Sequence, residues 1–133
     1  MAQTFTLLKN GSQFTASNAA VSCPASGNTE LLKLPVVGIT RIFVQLSVAT
    51  QALDAFIIAG KAHPDATAVT IASAAADFTS PADPIVDASG DLTTIAAAGT
   101  GWFIMNVAGF YQITISASGA VNNAAVTIYA SGE

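Results

Sequence analysis

Ionic side chains are scarce in this chain. Its 133 residues include four Lys/Arg and eight Asp/Glu, 9% charged, against roughly 25% in an ordinary soluble domain. A folded monomer of this mass exposes on the order of 6,500 Å², which leaves about one charge per 500 Å² or more. Long apolar runs are missing too. Gly, Thr, Ser, Asn or a charge interrupts every stretch before the ~18 residues that a spanning helix needs, so the mean hydropathy of +0.57 is not that of a membrane helix protein, and no membrane partner is expected. The four basic residues, Lys9, Lys33, Arg41 and Lys61, are scattered. That excludes the clustered phosphate contacts of a nucleic-acid binder. The single cysteine, Cys23, excludes an internal disulfide or a cysteine-based metal cluster, and reads as a buried small hydrophobe or an intersubunit contact. The opening MAQTFTLLKNGSQ has neither a basic n-region nor a long apolar core, and so does not read as a signal peptide. A chain this poor in charge is either a monomer coated in Ser, Thr and Ala or a subunit that hides surface in an assembly. Depletion of charge at interface cores favours the second.

What is present is a period of two. Thr4–Leu8 alternates, Asn10-Gly11 is a tight-turn pair, and Gln13–Ala16 is the expected return strand. This makes residues 1–16 an N-terminal hairpin or arm. Residues 17–28 read as a loop, with Pro24 and Gly27 among small residues. Glu30–Leu34 is a short strand. Over residues 40–49, Ile42, Val44, Leu46 and Val48 share one face, and Arg41, Phe43, Gln45 and Ser47 the other, the pattern of a half-buried strand. Asp54–Ala62 and Ala68–Ala72 are further strands. Residues 73–99, with two prolines, two glycines and two alanine triplets, read as a long irregular loop with room for one helical turn and a strand near Ile85–Val86 or Leu92–Ile95. Trp102–Val107 and Phe110–Ala117 flank Ala108-Gly109 as a hairpin. With Ala124–Ala130 they form an expected C-terminal three-strand meander. Eight to ten short strands without helical alternation predict a single all-β domain over 1–133, an antiparallel β-sandwich or jelly roll.

Four of the ten aromatic residues lie in the stretch 101–119. Both faces of Trp102–Val107 are apolar, so that strand is expected to be central and covered on both sides; a stacking platform for a sugar or base is the competing reading. The expected core comprises Val44, Leu46, Ile57, Trp102, Ile104, Ile113, Ile115 and Ile128. Phe5 and Leu7 on the arm, with Arg41 and Phe43 on the second face of their strand, are candidate interface residues.

No catalytic set emerges. The one histidine, His63, precedes a proline in a turn. Asp65 is too near in sequence to orient it, and no Gly-x-Ser-x-Gly elbow occurs. Asp77, Asp83, Asp87 and Asp91 could offer oxygens to Ca²⁺, but their spacing matches no EF-hand loop, and a solvated loop explains them. No two carboxylates are marked as a pair for glycoside hydrolysis. Gly99-Thr100-Gly101 has Ile104 where a dinucleotide loop has glycine, and a strand follows it. Asn10-Gly11-Ser12 fits a glycosylation pattern that the hairpin already explains. The expectation is a non-enzyme with no cofactor and no metal.

The segments GITRIFVQLSVAT, GTGWFIMNVAGFYQITISASG and AAVTIYASG resemble the small β-rich virion proteins of tailed bacteriophages, in style nearest to capsid decoration, or cement, proteins. The likeness is one of texture over about half the chain. It implies a homotrimer, or sometimes a dimer, made in the host cytoplasm and seated on the capsid exterior, where it clamps major capsid subunits. In that setting the Thr/Phe alternation and terminal position of Met1–Leu8 suit an arm that adds a strand to a capsid edge. The alternatives are a tail, neck or fibre structural protein and a carbohydrate-binding, adhesin-like module presenting Trp102 or Tyr129.

Overall fold

A computed structural model describes residues 3–8, 13–49, 53–74, 100–119 and 123–133. Among the described residues nine strands follow one another: β1 (Thr4–Leu8), β2 (Gln13–Cys23), β3 (Thr29–Pro35), β4 (Arg41–Ala49), β5 (Leu53–Lys61), β6 (Val69–Ala74), β7 (Thr100–Asn106), β8 (Gln112–Gly119) and β9 (Ala124–Gly132). They build two antiparallel sheets, a five-stranded one ordered β1-β2-β9-β4-β7 and a four-stranded one ordered β3-β8-β5-β6. Without β1, this is the order of an eight-stranded jelly roll, in which strands that follow one another late in the chain alternate between sheets. No helix among the described residues is long and apolar enough to cross a membrane.

That topology corrects the expected C-terminal meander. β7 pairs β4, β8 pairs β3 and β5, and β9 pairs β2 and β4. The Ala108-Gly109 turn does form, with Phe110 N–H donating to Val107 O at 3.0 Å and Gly109 at φ +91°. Its two flanks are tied to different partners, however. Val107 N–H donates to Thr40 O at 2.8 Å and Tyr111 N–H to Lys61 O at 2.7 Å. The chain therefore arches from one sheet to the other.

A second correction concerns residues 17–28. β2 runs through this stretch to Cys23, with a register shift between Asn18 and Val21. The extra residue moves the inward phase from Asn18 to Val21, and that shift erases the alternation a strand should show. Ala20 in the bulge has φ +50°, and its N–H donates to Thr127 Oγ1 at 3.1 Å. A non-glycine residue there carries strain of about 1 kcal/mol. Ala20→Gly is expected to raise stability by about that amount, seen as a higher urea midpoint at unchanged slope. A lower midpoint would count against this reading of the bulge.

The core lies between the sheets. Val44, Leu46, Ile113, Ile115 and Ile128 are buried there, with Phe14, Phe56 and Phe103 as the largest rings. Phe56 and Phe103 meet edge to face at 6.1 Å and 74°. Asn18 crosses the gap, its Nδ2 donating to Leu31 O at 2.8 Å. The N-terminal strand is folded into the body: Phe5 stacks on Phe14 at 5.2 Å. The Gln3 carboxamide brackets the backbone of Lys33 on β3, accepting its N–H at 2.5 Å and donating to its O at 2.8 Å. The Asn10-Gly11 turn, the aspartates between residues 77 and 91, and the expected strands at 85–86 and 92–95 lie outside the described residues.

Candidate functional site

Three expected core residues are placed differently. Ile57 is half-buried, while Trp102 is half-exposed and Ile104 is exposed. β7 is the outermost described strand of its sheet. Its inward row is Phe103 and Met105, the first buried and the second packed against the core. Trp102, Ile104 and Asn106 therefore point outward, and the strand is not covered on both sides by the described residues. Both rows are apolar enough to serve as core. The polar Asn106 at the end of the outer row was the available signal.

β4 supplies the next row. Because Ile42, Val44, Leu46 and Val48 are buried, Arg41, Phe43, Gln45 and Ser47 face out. The register sets Phe43 opposite Ile104 and Gln45 opposite Trp102 on one side, with Ser131 and Tyr129 opposite the same two residues on the other. Phe43 and Trp102 are diagonal neighbours and stack, with centroids at 5.7 Å and planes at 19°. Such a pair is worth about 0.5–1.5 kcal/mol beyond area burial. Phe43 is 40% exposed, Ile104 51% and Tyr129 56%. Sequence periodicity marks Phe43 as interface; of its three neighbours, from strands some sixty and eighty-five residues away, Trp102 and Tyr129 are singled out only in the carbohydrate-binding alternative and Ile104 only as core.

Arg41 closes one corner. Its guanidinium pairs with Glu133 Oε1, its Nε lies 3.1 Å from the same oxygen, and its backbone exchanges hydrogen bonds with Glu133. Arg41, Phe43, Ile104, Phe14, Thr15 and Gly132 line an open depression of about 420 Å³. Of the two arm candidates, Phe5 is engaged with Phe14, while Leu7 is exposed and paired with Phe14 across the β1–β2 ladder. Neither joins the Phe43 cluster.

The remaining chemistry-bearing groups stand apart from this face. His63 is exposed in a turn; its Nδ1 accepts the Asp65 N–H at 3.1 Å and lies 3.9 Å from Asp65 Oδ2. Among the described residues no three His, Cys, Asp or Glu side chains gather as metal ligands. Cys23 is fully buried, and burial pushes its thiol from 9.0 up to about 11. The folded state thus favours the neutral thiol. Its contribution to stability is intact below the ordinary thiol range and falls as pH rises from about 9 through about 11. Native Cys23 is expected to resist iodoacetamide at neutral pH and to react once the chain is unfolded in urea. Ready labelling of the folded protein would contradict its burial.

No protein-family description matches the chain, and no curated protein matches it. Among solved structures, the crystal structure of the SPBc2 prophage-derived protein YomS is similar, with a TM-score of 0.51 and 10% sequence identity over 90% of this chain and 93% of that one. At that identity the likeness is one of fold: the chain is an all-β sandwich built like YomS.

Proposed function

We propose that this chain is a non-enzymatic structural protein of a tailed-phage virion, and that it decorates the outside of the assembled capsid after synthesis in the host cytoplasm. The observation that carries the reading is the outer face of the five-stranded sheet, where Phe43, Trp102, Ile104 and Tyr129 stand in a field of Ser, Thr, Gln and Asn. A face of aromatic anchors ringed by uncharged polar residues has the composition of an interface core. The similarity in fold to a prophage-derived protein supports a phage setting. Jelly rolls recur in viral capsid domains, although that support is by analogy of fold. The mechanism is mass action: a protein that binds the assembled shell and not the free subunits stabilises the shell.

The test uses shells assembled from the major capsid protein of the same genome. The protein should pellet with them to a saturable ratio and raise their melting temperature. Retention in the supernatant at all concentrations would sink the capsid role, and pelleting with purified tails instead would move it to the tail or neck. One observation favours a second reading. Trp102 and Tyr129 lie on the same outward face, and jelly rolls also serve as lectins. Glycan-array binding that disappears in Trp102→Ala would favour a carbohydrate-binding module.

A further inference from the structure

We infer that the outer face of the five-stranded sheet packs against the same face of a second copy of this chain, so that two subunits close around the Phe43–Trp102 stack. The inference deepens the assembly reading and rests on it: the face serves as the contact between two subunits, and the pair, through its other surfaces, is what meets the shell. It names the occupant of the face, and three observations select that occupant.

The first is charge. The chain carries a net charge of −4, so two copies repel along most approaches. On the outward rows of β2, β9, β4 and β7, the one ionic side chain is Arg41, already paired with Glu133. Tyr129, Ser131, Gln45, Trp102 and Asn106 are neutral. Packed on itself, this face brings in no ionic group other than the internally neutralised Arg41–Glu133 pairs. A strongly charged partner would find nothing on it to complement.

The second is area. The sheet has five strands, and β7 is seven residues long. With strands about 4.8 Å apart and about 3.3 Å per residue, the face covers roughly 550 Å² before the relief of its side chains is counted. Stable interfaces take about 600–1,000 Å² from each partner. The face is therefore of the size that one more copy covers.

The third is shape. Phe43, Trp102, Ile104 and Tyr129 occupy neighbouring outward positions on three adjacent strands of one sheet, with Gln45 and Ser131 among them. A single patch meeting itself generates a two-fold, isologous contact. A three-fold ring, which the resemblance to decoration proteins implies, needs two different patches per subunit instead.

Trp102 is the only tryptophan and sits inside the inferred contact, so it reports on it directly. The experiment is a dilution series of the isolated full chain, read by Trp102 emission and acrylamide quenching, on wild type, Ile104→Lys, Tyr129→Glu and Val69→Lys. Val69 is exposed on β6 of the other sheet and serves as the control. On dilution, wild type and Val69→Lys should shift to redder emission and quench several-fold faster. Ile104→Lys and Tyr129→Glu should behave as diluted wild type throughout, because a buried unpaired charge, present twice in the contact, weakens association roughly a hundredfold or more. Circular dichroism matching wild type shows that the variants fold; two exposed sites on different strands guard against one variant failing. The inference is overturned if wild-type Trp102 is equally accessible at every concentration, or if the face variants and Val69→Lys behave alike. No shell is involved, so failure here leaves the shell-pelleting result to stand or fall separately.

Discussion

Replacing Phe103 by alanine is expected to lower the stability of the fold by about 3–5 kcal/mol, enough to abolish it in a protein of marginal stability. Phe103 is fully buried, and Phe56 would lose its edge-to-face partner. The packed surroundings relax only partly around such a void, so a cavity term adds to the lost transfer energy. The companion variant is Ile104→Ala, one residue along the same strand. Ile104 points outward, and its truncation in dilute protein should stay within about 1 kcal/mol. Urea titrations of the two variants at low concentration check the pair. Equal losses would mean that β7 faces the other way and that the outer patch does not exist.

Gly132→Ala should also be strongly destabilising, for the opposite reason. A Cβ added there would stand 2.1, 2.7 and 2.8 Å from three carbons of the Phe14 ring. Phe14 is buried and stacked on Phe5, so it cannot swing away without carrying β1 with it. Overpacking of this kind costs about 1–3 kcal/mol, and more where the neighbour cannot yield. A double-mutant cycle identifies the cause. With Phe14→Leu in the background, adding the methyl group should cost markedly less, with a coupling of about 1–3 kcal/mol. Additive losses would show that the ring is not what Gly132 accommodates.

These two residues illustrate what could be read from the chain and what could not. The alternation over 40–49 identifies one buried and one outward row correctly, because β4 is flanked by strands on both sides and, among the described residues, covered on one face only. The all-β sandwich followed from the density of such segments and their turns. β7 could not be oriented the same way. Trp102 and Ile104 are as apolar as Phe103 and Met105, and the row facing the core is decided by pairing with β4, some sixty residues upstream. The arch at Ala108-Gly109 was misread for a related reason. A two-residue hairpin and a turn between sheets both call for glycine at positive φ, and only the partners of Val107 and Tyr111 distinguish them. At Asn18–Val21 the bulge broke the period-two signal itself.

The same limits apply to the candidate site. Phe43 and Arg41 were visible as an outward row on one strand. The face they belong to is assembled from β9, β4 and β7, whose adjacency is a property of jelly-roll topology and leaves no local trace. The scarcity of charge was legible from the start; the structure adds where that scarcity concentrates an exposed aromatic cluster.

Sedimentation equilibrium of the isolated chain bears most directly on the central claim, that this charge-poor sheet face is covered by association. The account predicts a concentration-dependent mass that reaches twice the 13.4 kDa of one chain. A constant 13.4 kDa across the micromolar range would contradict it.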